Sequence, residues 1–220
     1  MSRPVRERIT CPKCGHEDEV TVWSSLNNML SPDAANELLF GNLFDYTCPE
    51  CGNTTELCHA CLYHDMKKRV MVQYVPDESQ TEATVAHLDG FLDGNIPQHE
   101  MDEAGYRYRI VFDHNRLQEK ARIFHDGLDD RVIETLKLMV EAMASEDVED
   151  MGRVPVYYDS IGDDGNLVFA LLADEVMVAT IPRAAYDKLA PEPVGNPDRD
   201  YFIDRDWAIE NCSMTVKHRE

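Results

Sequence analysis

Two nearly identical pentapeptides, CPKCG at Cys11 to Gly15 and CPECG at Cys48 to Gly52, hold the residues of this chain best suited to chemistry. A Cys-x-x-Cys turn sets two thiolates on one side, and the glycine after it reaches the positive φ that aims backbone N–H groups at sulfur. Each pentapeptide therefore supplies half of a tetrahedral site, and Cys11, Cys14, Cys48 and Cys51 are the expected ligands of one Zn2+. With four protein thiolates the ion has no open position for water or substrate, so its role is structural, worth about 10–16 kcal/mol to a small domain. The 33 residues between Cys14 and Cys48 exceed the gap of a compact zinc ribbon, so this insert must fold on its own for the two knuckles to meet.

The remaining reactive residue types carry weaker signals. Cys58 and Cys61 form a third Cys-x-x-Cys, which opens a thiol oxidoreductase as an alternative. Redox pairs sit at a helix N-terminus, however, and the setting TELCHACLYHD reads as the end of a ribbon strand. His16, His59 and His64 lie near the knuckles and read as surface or supporting polar groups. The acidic residues Asp126, Asp129, Asp130 and Glu134, with Glu119 nearby, read as caps that complement a helix dipole rather than as a cation site. Cys212 is a lone thiol, and there is no Gly-rich phosphate loop, Gly-x-Ser-x-Gly elbow or His-Glu-x-x-His. The chain thus reads as non-catalytic.

Composition narrows the partners. At 220 residues and 43% apolar content the chain can bury a core, and the length suits two units. The formal charge of −21 is uneven: seven basic residues face ten acidic ones in 1–75, seven face 19 in 76–152, and seven face 13 in 153–220. Such a field repels phosphate backbones, so nucleic acid is disfavoured as a partner and an unknown protein partner is expected. A nucleic-acid-linked regulatory role remains the alternative, with Lys67, Lys68, Arg69 and Tyr74 as its contact strip. No apolar h-region follows the basic start, and no run of about 18 apolar residues could span a bilayer, which points to a cytoplasmic protein without membrane contact. Seven cysteines, four of them in knuckles, fit metal binding better than a disulfide framework.

The elements that must position the knuckles follow from hydropathy. Alternating runs at Glu19 to Ser24 and Arg69 to Val75 read as ribbon strands. Ser31, Pro32 and Asp33 open a helix that Gly41 ends. Residues 76–105 read as an acidic connection, with a helix over Glu82 to Leu92 limited by Gly90, Gly94 and Pro97. Tyr106 to Phe112 alternates as a strand. A helix then starts at Asn115 and carries Leu117, Ala121 and Phe124; Gly127 stops it, and a second begins near Asp129 with the stripe Val132, Ile133, Leu136, Met139, Val140 and Met143. Three strands follow as a meander, Val154 to Ile161, Leu167 to Ala173 and Val176 to Ile181, then a short helix from Pro182 to Leu189, a loop from Pro191 to Pro197 and a final segment with Phe202, Trp207 and Ile209. The expected class is α+β: a zinc ribbon with helical insert (1–75), the connection (76–105), a strand plus helix pair (106–150) and a small α+β unit (151–220).

The two knuckles, the run LYHD at Leu62 to Asp65 and the text RIVFDHNRLQEKARIFHDGLDDRVIETLK from Arg109 to Lys137 resemble the bacterial and archaeal CpXC-domain proteins. The resemblance covers roughly residues 9–140. It implies a zinc-ribbon-like domain with Cys11, Cys14, Cys48 and Cys51 as its cysteines, and supplies no catalytic residues, since that family is described by its motif without an established activity. Residues and resemblance together lead to a zinc-stabilised binding or adaptor module. Its partner face is expected on an exposed ribbon surface bearing Trp23, Tyr46, Tyr63 and Tyr74, or on the C-terminal sheet.

Overall fold

The computed structural model describes residues 2–92, 106–147, 154–173, 175–189 and 200–217. The chain divides into two compact units, Met1–Gln118 and Glu119–Glu220. The class is α+β, as expected, with six α-helices among the described residues.

In the first unit, β1 (Arg3–Thr10) and β2 (Glu17–Asn27) make a long antiparallel hairpin. The expected strand at 19–24 is thus the middle of a longer one. β1 carries no alternation in hydropathy, because nearly all of it is exposed at the sheet edge. After α1 (Pro32–Phe40), whose Ala35, Leu38 and Leu39 are buried, comes a short hairpin of β3 (Asp45–Thr47) and β4 (Thr54–Glu56). Pro32 at the helix start and Gly41 at its end stand where the sequence places them.

β5 (Cys61–Asp65), β6 (Val70–Tyr74) and β7 (Arg107–Val111) complete a five-stranded sheet in the order β1-β2-β5-β6-β7. The β2/β5 and β6/β7 pairs are parallel. β7 lies beside β6, so the strand expected at 106–112 shares a sheet with residues before 75, and the boundary expected at 105 falls inside the first unit. α2 (Thr81–Leu92) matches the expected helix in the connection, while Gly94, Pro97 and the rest of 93–105 lie outside the described residues. His64 on β5 is 5% exposed and held at both ring nitrogens, Nδ1 by Asn27 at 3.2 Å and Nε2 by the Tyr106 hydroxyl at 3.1 Å. Burial keeps its pKa below the usual imidazole range, so His64 is a neutral core group.

The division between the units falls within α3 (His114–His125), and the second unit continues with α4 (Asp130–Asp147). The meander is present as β8 (Val156–Ile161), β9 (Leu167–Leu172) and β10 (Val176–Ile181), in the order β10-β9-β8, followed by α5 (Arg183–Leu189). The final segment forms α6 (Arg205–Lys217), on which Cys212 lies; the loop from Pro191 to Pro197 lies outside the described residues. The core gathers Ile123, Val132, Ile133, Leu136 and Val140 with Tyr158, Phe169 and Ile181. Met139 and Met143 depart from the expected stripe and remain exposed at 45% and 54%.

The acidic residues of α3 and α4 need a correction. Asp129 does act at the helix start, accepting from the Arg131 backbone at 3.0 Å and pairing with its guanidinium. Glu119, Asp130 and Glu134 instead join Lys120 and Lys137 in a network, each residue 2% exposed or less. Lys120 Nζ donates to Glu134 at 2.9 Å and reaches Asp130 at 3.2 Å; Lys137 Nζ touches Glu119 at 3.0 Å and Glu134 at 2.8 Å. Burial alone would lower the Lys120 pKa, but the Glu134, Asp130 and Glu119 carboxylates outweigh it and hold the ammonium charged. Pairs of this kind add little net stability over apolar packing, yet losing one member is costly because its partners keep their desolvation penalty. Lys137→Met is therefore expected to lower unfolding stability by about 3–5 kcal/mol, measured by denaturant titration; a loss no larger than that of an exposed lysine would contradict this account.

Candidate metal centre

Each knuckle is the tip of a hairpin. Cys11 and Cys14 lie in the turn between β1 and β2, and Cys48 and Cys51 in the turn between β3 and β4. The two turns repeat one hydrogen-bond scheme. Gly15 N donates to Cys11 O and Gly52 N to Cys48 O, both at 2.9 Å, while Cys11 N donates to His16 O at 2.8 Å and Cys48 N to Asn53 O at 2.9 Å. Gly15 at φ 75° and Gly52 at φ 67° supply the left-handed step that closes each turn. Tyr46, 7% exposed, packs against Cys11 and Cys48 with Ile9, Val20 and Leu57, and its hydroxyl donates to Asp18 of β2 at 3.2 Å. The insert thus brings its hairpin back against the long one.

This geometry gathers all four expected cysteines. Their Sγ atoms lie within 4.8 Å of one another, with Cys11 to Cys51 and Cys14 to Cys48 both at 3.7 Å. A tetrahedron with metal–sulfur bonds of about 2.3 Å has edges of about 3.8 Å. The donor set therefore fits a metal ion. Charge points the same way. Burial pushes the Cys48 thiol up, but the N–H groups of Cys51 and Glu50 and the Cys14 and Cys11 thiols outweigh it and bring the pKa down to about 6. The Cys14 N–H, with that of Lys13, likewise holds Cys11 below the usual thiol range. Cys14 accepts the His16 N–H, yet burial and the three neighbouring sulfurs push it up to about 12. Four thiolates this close repel one another, and a divalent cation is the group that lets all of them ionise.

Cys58, Cys61, His59 and His64 are not among the clustered ligands. Cys61 is fully buried at the start of β5, and burial pushes its thiol up to about 12. Cys58 is exposed, donates to Glu56 at 3.3 Å and is raised by that carboxylate. Neither has the lowered pKa that redox pairs use. His59 Nδ1 lies 3.0 Å from Leu57 O and His64 sits in the core, so neither completes the cysteine set. Of the aromatics expected on a contact face, Tyr46, Tyr63 and Tyr74 are at most 7% exposed and serve packing, and Trp23 is half-buried. Tyr74 packs edge-on against Phe44. Lys120 and Lys137 went unrecognised because a charged residue on an amphipathic helix reads as solvent-facing; nothing in the local sequence marks them as buried.

A Cβ added at Gly52 meets nothing within 4 Å, so Gly52→Ala isolates the backbone cost of positive φ. The expected effect is about 1–2 kcal/mol lost from the first unit, read as a lower melting midpoint, with Gly52→Asn losing less. Equal stability of the alanine variant would show that the turn does not depend on its left-handed glycine.

No membrane-spanning candidate occurs among the described residues, since no helix there is long and apolar enough. No curated protein and no solved structure matches the chain significantly. The family model described as CpXC protein matches residues 9–137, more than half of the sequence, and this span holds both knuckles, all of the five-stranded sheet except most of β1, and the buried charges of α3 and α4. The chain belongs to the CpXC family.

Proposed function

We propose that the four cysteines hold one structural Zn2+ and that the chain works as a non-catalytic binding or adaptor protein for an as yet unidentified protein partner. The observation that carries the metal reading is the 3.7 Å spacing of sulfurs across the two hairpin tips. Four thiolates in a tetrahedron favour zinc or iron among the common metals, and a spin-paired d10 ion with no redox chemistry suits a site whose ligands all come from the protein. The apolar side chains packed against it are Tyr46, Ile9, Val20 and Leu57. The adaptor reading rests on this closed, supporting character. The thiols of Cys11, Cys14, Cys48, Cys51, Cys58 and Cys61 form no disulfide, which suits a reducing compartment, and we place the protein in the cytoplasm.

The nucleic-acid alternative has one feature in its favour, the exposed Lys67 and Lys68 in the turn between β5 and β6. Against it stands the charge of −21, which disfavours phosphate contact.

The metal reading is tested by elemental analysis of the purified chain together with melting before and after chelation. One zinc per chain is expected, and stripping it or replacing Cys48 by Ser should unfold the first unit at a temperature where the loaded protein is folded. A stripped protein that melts no earlier, or one that holds no metal after expression in zinc-supplemented medium, would remove the proposal.

A further inference from the structure

The three-stranded sheet of the second unit has two edges, and they are treated differently. On the β8 edge, the Tyr158 N–H donates to the buried Glu119 carboxylate at 2.7 Å, and a bulge breaks the ladder between Tyr158 and Ser160. Natural sheets block an edge by such covering groups and bulges. β10 has neither. Its sequence, VMVATI, contains no charge and no proline, and its pairing with β9 is regular over all six residues. Val176 and Val178 are 66% and 68% exposed, Met177 is 36% exposed, and Leu172 beside Val176 on β9 is 41% exposed.

The open hydrogen-bonding groups can be assigned. Gly162 N donates to Asn166 O and Leu172 N to Pro155 O, so the even-numbered residues of β9 face β8. In an antiparallel ladder the alternate residues then face β10, namely Leu167, Phe169 and Leu171, opposite Ile181, Ala179 and Met177. The N–H and C=O groups of Val176, Val178 and Thr180 are left pointing away from β9, with no hydrogen bond to another described residue.

We infer that β10 pairs with β10 of a second copy of this chain, antiparallel about a two-fold axis at Val178, joining the two meanders into one continuous sheet. The register follows from the open groups. Placing Val178 opposite itself sets Val176 against Thr180 of the other copy and uses all three outward residues; a slip of two residues wastes a pair on each side. Charges agree with this register. Glu175 of one copy falls beside Ile181 of the other, the residue that ends β10 two positions before Arg183 at the start of α5, so opposite charges come to the same end of the paired strands, twice by symmetry. Arg183 now pairs with Asp187, an exposed i,i+4 partner at 3.1 Å, and lies 4.7 Å over the Tyr186 ring, so reaching Glu175 of the other copy trades these contacts for a new pair. The two-fold consumes both open edges at once and leaves a blocked β8 at each end, so assembly stops at two copies. A six-residue strand pair buries less than the roughly 800 Å² per partner of a standard interface, so the dimer is weak and concentration-dependent. Salt strengthens it by screening the repulsion between two chains of −21.

Sedimentation of the full chain over a wide concentration range tests this. The expected mass rises from one chain towards two and goes no further. Val178→Pro should remain monomeric while keeping its circular dichroism and melting point, since the lost N–H points out of the sheet. Val178→Lys, at an exposed position, should weaken the dimer by about tenfold or more by setting like charges opposite each other, so that a folding defect in the proline variant does not decide the matter. A wild-type chain that stays monomeric at the highest concentrations, an assembly that grows beyond two, or a dimer untouched by both substitutions would overturn the inference.

Discussion

Sulfur atoms from two hairpin tips stand at the edge length of a tetrahedron around a metal, and the local architecture of the first unit serves that approach. Backbone N–H groups aimed into each turn draw charge onto Cys11 and Cys48, and the same crowding drives Cys14 the other way. A divalent cation relieves this conflict by letting all four thiols ionise together, and the donor set could hold one. The small hairpin β3/β4, only three residues on each side, is too short to be stable alone and gains its place through Tyr46, Asp18 and the shared thiolates.

The second unit buries charge by pairing it. Three carboxylates and two lysines enter a region where each is at most 2% exposed, and they do so as a connected set in which each charge has an opposite neighbour. Glu119 adds a further duty by closing the backbone of β8. A single side chain thus neutralises a lysine and blocks a sheet edge. Protection of one edge makes the open edge of β10 informative, because natural sheets cover, charge or bend a strand at such an edge.

Much of this was legible from the residue order. The knuckles announce themselves by cysteine spacing and the glycine that follows, features set by local backbone geometry. The helix at 32–40 has its proline and glycine punctuation, and the meander has alternation with a turn rich in Asp and Gly. Amphipathic spacing placed Leu117, Ala121 and Phe124 in the core, where they are at most 1% exposed. These signals share a property: each depends on residues within about one or two turns of one another.

Four matters were decided only by the folded chain, and all involve partners distant in sequence. Parallel pairing of β2 with β5 and of β6 with β7 joins segments whose hydropathy says nothing about neighbours, so β7 could be read as the start of another domain. β1 is a strand because β2 pairs with it; RPVRERIT has no pattern of its own. Tyr63 and Tyr74 turned inward, although an aromatic in a strand can face either way until the sheet has both its sides assigned. Lys120 and Lys137 look like solvent-facing lysines in the linear text and become core residues only when carboxylates from another turn or another helix arrive beside them. Local geometry determines which atoms could grip a metal; burial and long-range pairing, being properties of the whole packed unit, determine which charges end up inside it.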